Sequence, residues 1–336
     1  MNFGIIGFGG LGKLHYAVAP EVANRVGDVN LVAICDIEEK AFRVQTSTNL
    51  GENNQELDLT PYRLYHDAEE MLSKEKLDFV ITALPTYIHE KIAVMAMNHG
   101  VNVFSEKPMA LSLEEGKRML DAAKANNVKL MIGQCVRYFP DYVRLKEIID
   151  SKEYGKVIRA DFLRISPNVT WSWQNWMLDE SKSGGAALDM HVHDVDFINY
   201  VFGVPNAVSS VATNHKAKHE SISTIYHYDD GKMVMATGDW GMPGCFPFTP
   251  GFTVRFEKAT VAMNAEGMKL YPEEGEVQVL ENPVASGYIE EMVDFITCIR
   301  EDRQSTINPA ESSFVSMKIA LAEKLSADLH KTVSIE

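Results

Sequence analysis

Through the first 130 residues, short apolar blocks alternate with stretches whose apolar positions recur at helical spacing. The blocks NFGIIGF (2–8), NLVAICD (30–36), YRLYHD (62–67), DFVITAL (78–84), VNVFSE (101–106) and KLMIG (129–133) predict six strands. Between them, Gly10 to about Val18, Glu38–Leu50, His89–Asn98 and Leu113–Ala125 predict helices, and Glu69–Ser73 a helical turn. Apolar strands alternating with helices make a parallel sheet covered on both faces. Ligands of such a sheet bind beyond the carboxyl ends of its strands.

From residue 131 the pattern changes, which divides the chain into domains at 1–130 and 131–336. Pro140–Lys152 predicts an amphipathic helix ending before Gly155, and KVIRADFLRI (156–165) a strand. Residues 167–187 form a long loop carrying Trp171, Trp173 and Trp176. Loops of that length are functional or disordered, and three tryptophans argue against disorder. Leu188, Val192, Val195, Phe197, Val201 and Phe202 then recur at mostly helical spacings, predicting one helix from Ala187 to about Phe202, stopped by Gly203 and Pro205. Strands follow at 207–213, 220–228, 232–240, 252–257, 259–264, 268–272 and 276–281, with Asp229-Asp230-Gly231 as a hairpin turn. Helices at Tyr288–Arg300 and Pro309–His330 close the chain, and the terminal helix could pack back on the first domain.

Composition adds bounds. A chain of 336 residues, 46% hydrophobic, can bury a sizeable core and suits two domains. The opening MNFGIIGFGG has no basic n-region, long apolar run or cleavage site, so the expected location is the cytoplasm. The four cysteines, Cys35, Cys135, Cys245 and Cys298, are widely spaced and match no metal or redox motif. A net charge of −15 argues against a nucleic-acid or anionic-membrane partner and leaves a small-molecule substrate.

The chemistry begins at the end of the first strand. Gly7-Phe8-Gly9-Gly10-Leu11-Gly12 fits G-x-G-x-x-G: a tight turn, bare backbone beside a pyrophosphate, and close helix–strand contact. The following helix N-terminus offers N–H groups and positive dipole to phosphates. A glycine-rich turn alone is a weak signal, but the second strand ends in Asp36, 24 residues past Gly12. A carboxylate there accepts hydrogen bonds from the ribose hydroxyls of NAD and repels the 2′-phosphate of NADP. Ile37, which follows, could not hold that phosphate. The expected cofactor is therefore NAD rather than NADP. The fifth strand ends in Glu106-Lys107-Pro108, and a lysine at that edge is a candidate active-site cation.

The segment SGGAALDMHVHDVDF (183–197) concentrates three aspartates and two histidines. On one continuous helix, Asp189, His193 and Asp196 stand at i, i+4 and i+7 and share a face. His191 points about 160° away from His193, so the two histidines do not converge on one ion. No third or fourth ligand is in evidence, which favours an acid–base face over a metal site. A merely solvated polar face has the same pattern.

These elements together resemble the Gfo/Idh/MocA family of glucose–fructose oxidoreductases and inositol dehydrogenases. The resemblance rests on the glycine motif with Asp36, Leu84-Pro85-Thr86 with His89, Glu106-Lys107-Pro108, and Gly184-Gly185 followed by Asp189 and His193. It implies an α/β chain: an N-terminal Rossmann domain with a doubly wound parallel sheet, then a C-terminal α+β domain with an open, largely antiparallel sheet. It implies a cofactor site at Gly7, Phe8, Gly9, Gly10, Leu11, Gly12, Asp36, Ile37, Leu84, Pro85, His89, Glu106 and Lys107. It further implies that the Asp189/His193 face meets Lys107 and the nicotinamide, with the tryptophan loop over the substrate and Trp176 nearest the ring. Where many members have glycine this chain has His191, so that face could shape a pocket or a subunit contact differently.

The implied activity is NAD-dependent hydride transfer to or from a sugar, inositol or related polyol, in a homodimer or homotetramer. His193 suits the role of base near neutral pH. Asp189 would orient substrate hydroxyls, and Lys107 would bind the reacting oxygen and stabilise an alkoxide. A desolvated lysine can also titrate near neutrality, so Lys107 as the base stays open. A redox-neutral epimerase or glycosidase and a non-catalytic dinucleotide sensor are the competing readings.

Overall fold

The computed structural model describes residues 1–43, 47–48, 51–52, 57–283 and 285–335. The first half contains strands β1 (Asn2–Ile6), β2 (Asn30–Cys35), β3 (Ser47–Thr48), β4 (Gly51–Glu52), β5 (Arg63–Tyr65), β6 (Phe79–Thr82), β7 (Asn102–Ser105) and β8 (Leu130–Ile132). Its helices are α1 (Gly10–Val26), α2 (Ala68–Lys74), α3 (His89–Asn98) and α4 (Leu113–Ala125). Then come α5 (Pro140–Ser151), β9 (Val157–Pro167), α6 (Glu180–Ser183), α7 (Gly185–Asp189), α8 (Val192–Phe202), β10 (Ala207–Thr213), β11 (Ser221–His227) and β12 (Met233–Met242). The chain finishes with β13 (Thr249–Phe256), β14 (Ala259–Asn264), β15 (Gly267–Pro272), β16 (Gln278–Leu280), α9 (Gly287–Arg300), α10 (Ala310–Leu329) and β17 (Val333–Ser334).

Two compact units result. The first comprises Met1–Gln134, Trp171–Trp176 and Tyr288–Phe314, and the second Cys135–Thr170, Met177–Gly287 and Val315–Glu336. In the first, six parallel strands run in the order β5-β2-β1-β6-β7-β8. The order reverses at β1, so the carboxyl ends of β1 and β6 flank a topological switch point. Strands β6 and β8 are buried throughout, as strands covered on both faces must be. The core stacks Phe3 on Phe79, with ring centroids 4.8 Å apart, and sets Phe295 of α9 edge-on against Phe79 at 5.6 Å.

The second unit is built on nine strands in the order β16-β15-β14-β13-β9-β12-β11-β10-β17. All neighbours are antiparallel except β9 with β12. Burial alternates along the strands, so one face carries the core. Phe162, Phe197 and Phe252 gather around Tyr142 there.

Several expectations are corrected. The helix predicted over Glu38–Leu50 is a single 3-10 turn at Glu39–Phe42, with extended pairing at β3 and β4; residues 44–46 and 49–50 lie outside the described residues. Phe42, at the end of that turn, is buried beside Phe8. Helix α1 runs past Val18 to Val26 despite Pro20, because Val22 buries into the core, and it stops at Gly27 with φ +66°. The loop at 167–187 contains a 3-10 segment at Trp173–Leu178 and the short helices α6 and α7. The terminal strand β17, absent from the sequence reading, pairs with β10.

Candidate active site

Because the first sheet is parallel, the loops leaving β1, β2, β6 and β7 emerge along one edge. The three motif glycines there answer to three different constraints. Gly7 has φ +91°, and a Cβ on it would stand 2.3 Å from the Ala83 carbonyl oxygen. A Cβ on Gly12 would stand 2.0 Å from the Gly7 oxygen, so α1 could not pack against the loop. A Cβ on Gly9 would meet nothing within 4 Å. Its bare backbone therefore borders open space at the start of α1, whose N-cap, Gly9 itself, supplies no side-chain acceptor. The first-turn N–H groups around Gly10 and Leu11 are the donors a pyrophosphate requires, so these residues fit a dinucleotide.

Asp36 follows β2. Its Oδ2 accepts from the Phe8 N–H at 2.7 Å and its Oδ1 from the Glu38 N–H at 2.8 Å. Each carboxylate oxygen keeps lone-pair capacity for a ribose hydroxyl, and the two backbone bonds aim the group. Ile37 is 72% exposed beside it, an apolar platform rather than a phosphate ligand. The Phe8 side chain is fully buried against Tyr16. Of Phe8, only the backbone can belong to the cofactor site. Lys13, which sequence reasoning passed over, is buried with its amine 5.5 Å from the Phe8 ring centroid. Burial lowers its pKa, and the nearby Asp36 charge opposes that shift.

Leu84 and Pro85 lie half-buried past β6. The His89 side chain is buried between two loops. Its ring is fully enclosed, with Nε2 2.7 Å from the Leu84 carbonyl oxygen and Nδ1 2.8 Å from that of Pro108. It links the β6 loop to the β7 loop, and burial pushes its pKa down. Lys107 is half-buried after β7, followed by a cis bond to Pro108. Its backbone N–H donates to Glu106 Oε2 at 3.2 Å, and Glu106 itself is buried.

The polar segment in the second unit departs from the one-helix expectation. Asp189 ends α7 and His193 lies in the first turn of α8. Between them the His191 N–H reaches back five residues to the Ala186 oxygen, 2.8 Å away, and the His193 N–H only three, to Met190. The wide turn followed by the tight one voids the i, i+4, i+7 geometry of a regular helix. Asp196 leaves the candidate face altogether: its oxygens take Arg137 Nε and Nη2 at 2.7 Å each, plus Ser316. Asp194 holds Arg164 in the same two-pronged way. His191 shapes neither pocket nor subunit surface. It is fully buried, with Nε2 3.1 Å from Glu323, in a space left by Gly238, where a Cβ would stand 2.8 Å from its own. Asp189 is buried, while His193 and Trp176 are half-buried. Trp176 follows Gln174 and Asn175, both at positive φ.

Comparison with known proteins agrees with this architecture. Residues 1–134 match the profile of an oxidoreductase family with an NAD-binding Rossmann fold, and residues 142–262 match the GFO/IDH/MocA C-terminal domain. A myo-inositol 2-dehydrogenase of Thermotoga maritima is 29% identical over 206 residues, covering 60% of this chain and 55% of that protein. A 2,7-anhydro-N-acetylneuraminate hydratase of Mediterraneibacter gnavus is 31% identical over 149 residues, covering 44% and 40%. The chain thus spans about half the length of the curated relatives it matches. Among solved structures, a levoglucosan dehydrogenase in complex with NADH and levoglucosan superposes with a TM-score of 0.82 at 19% identity, covering 100% of this chain and 99% of that one. A myo-inositol 2-dehydrogenase from Lactobacillus plantarum gives 0.77 at 22%, with 100% and 99% covered. At these identities the likeness is one of fold.

Proposed function

The chain belongs to the Gfo/Idh/MocA oxidoreductase family, and from that premise we propose that it is an NAD-dependent oxidoreductase acting on a secondary alcohol or carbonyl of a sugar, inositol or related polyol. NAD, when bound, supplies the hydride acceptor. The observation that carries the reading is the edge of the first sheet, where Gly9 opens beside the start of α1 and Asp36 is aimed by two backbone amides.

In this reading Lys107 binds the reacting oxygen and stabilises negative charge as it develops. His193 takes the hydroxyl proton, and Asp189 orients substrate hydroxyls and steadies the charged imidazole. Trp176, in a segment that groups with the first unit, offers an aromatic face to a sugar ring. The substrate class is supported by the relatives named as inositol dehydrogenases. One relative bears the name of a hydratase, which favours as second reading a redox-neutral reaction in which the hydride is returned.

A spectrophotometric screen of inositols, aldoses and sugar acids with NAD and NADP tests the proposal. Net NADH formation is expected, with NAD preferred at least about tenfold over NADP, or about 1.4 kcal/mol. Asp36→Ala should narrow that preference chiefly by weakening NAD. Product formation without net NADH would select the redox-neutral reading, and equal use of both cofactors would remove Asp36 as the discriminator.

A further inference from the structure

Beneath the Lys107 turn lies a polar cluster contained wholly in the first unit. Glu106 is buried, and its two oxygens serve different elements. Oε1 lies 2.7 Å from Nε2 of His15 on α1, and Oε2 accepts the Lys107 backbone N–H at 3.2 Å. Glu291 on α9 is fully buried and close enough to Glu106 to feel its charge. Among the described residues, neither Glu291 oxygen has a hydrogen-bond partner, and neither does His15 Nδ1. Phe104 and Tyr288 turn ring edges toward His15. Gly133 seats Glu106 from the other side: a Cβ there would stand 3.1 Å from Oε2.

Two neighbouring buried carboxyl groups do not both ionise cheaply. Among the described residues, Glu106 has the Lys107 N–H and the His15 ring to support a negative charge, and Glu291 has no such partner. Burial first, and the Glu106 charge second, push the Glu291 pKa well above the ordinary glutamate range. Among the described residues the charge that acts on it is that of Glu106; the adjacent Glu290 pairs instead with Arg25 at the surface. As a neutral acid, Glu291 carries a donor, and the charged acceptor acting on it is Glu106. Ionised, it would drive Glu106 away from both of its donors.

We propose that Glu291 is a positioning residue for Lys107: packed unpartnered in the same buried cluster, it keeps Glu106 on the His15 ring, and the second Glu106 oxygen sets the Lys107 backbone. The inference rests on the role proposed for Lys107, and the test separates the two.

Infrared spectra of the full-length wild type near neutral pH should show the carbonyl stretch of a protonated carboxyl group, lost in Glu291→Gln. No such band, or one that survives the substitution, overturns the proposal without reference to any activity. With a substrate in hand, Glu291→Gln, which keeps shape, neutrality and a donor, should hold kcat within about threefold. Glu291→Leu should lower kcat at least about tenfold while the KM for NAD moves less than about threefold. Gly133→Ala, which presses on Glu106 without touching Glu291, should reproduce that split even if Glu291→Leu fails to fold. A well-folded Glu291→Leu or Gly133→Ala with wild-type kcat would reduce the cluster to core structure. If Lys107→Met itself leaves turnover unchanged, it is the Lys107 role that fails, whatever the infrared result.

Discussion

The proposed reaction gives Lys107 and His193 different roles, which the pH dependence of variants can tell apart. If His193 is the base, His193→Asn lowers kcat by about 10²–10⁴ and removes the limb of the kcat/KM profile near neutral pH. Lys107→Met should cost about 10²–10³ through lost alkoxide stabilisation and leave that limb in place. The reverse pattern would make lysine the base. If the limb shifts without vanishing in both variants, its pKa belongs to a coupled pair. Glu291 makes a residue-scale prediction of its own, read in stability rather than turnover. Its folded pKa lies above the ordinary glutamate value of 4.5. Above pH 4.5 the unfolded chain therefore sheds a proton that the folded chain retains, and stability falls as pH rises from there toward the folded pKa. Denaturant titrations of Glu291→Gln from about pH 5 to pH 8 should show a flatter decline than the wild type. Parallel curves would mean that Glu291 ionises in the fold as it does in water.

The α7–α8 junction shows what a helix can hide. In the sequence Asp189, His193 and Asp196 look like one face, yet Asp196 is spent on Arg137 inside the second unit, as the neighbouring Asp194 is on Arg164. Asp196→Ala takes the carboxylate away from a buried guanidinium and should cost about 3–5 kcal/mol in urea unfolding, whereas pairing Asp196→Leu with Arg137→Met should recover most of that loss. A single variant as stable as the wild type would show that water reaches Arg137. Elements α3, α4, β10 and β14 lie where the sequence places them, because hydrophobic spacing together with caps such as the Ser112–Glu115 capping box states their ends locally. The glycine loop and Asp36 are likewise legible, since Gly7 and Gly12 answer to steric demands that only glycine meets and Gly9 leaves the backbone open beside them. What stays illegible comes from partners distant in sequence. Nothing near residue 291 signals that its carboxyl group is buried within reach of the Glu106 charge, and nothing near residue 196 signals Arg137. The i−5 bond at His191 depends on how α7 and α8 are each packed, so periodicity carries the helix straight through it.

At the scale of the molecule, the nine-stranded sheet poses a covering problem that its pairing makes explicit. Leu163, Thr237, Ser223 and Val211 lie in one cross-strand row, so they share a face. The same register puts Ile225, Met233, Tyr271 and Val279 on that face, all at least 41% exposed, with Val211 at 68%. Arg159 and Asp161 pair among them, a mixture of apolar and matched polar groups suited to a buried contact. The sheet edges do not invite addition of another strand: β17 covers β10, and β16 is flanked by Glu273, Glu274, Glu276 and Glu281, all exposed. The face, not the edge, is therefore where a second copy should dock. A two-fold contact would set Val211 and Ile225 of each protomer against the same surface of the other, and a stable one buries about 1,200–2,000 Å² in total. Light scattering at micromolar concentration should give a dimer or a dimer of dimers. Val211→Asp combined with Ile225→Asp should shift the protein to monomer while leaving NAD binding to the first unit within a few fold. A wild-type monomer under those conditions would mean that the open face is tolerated in water.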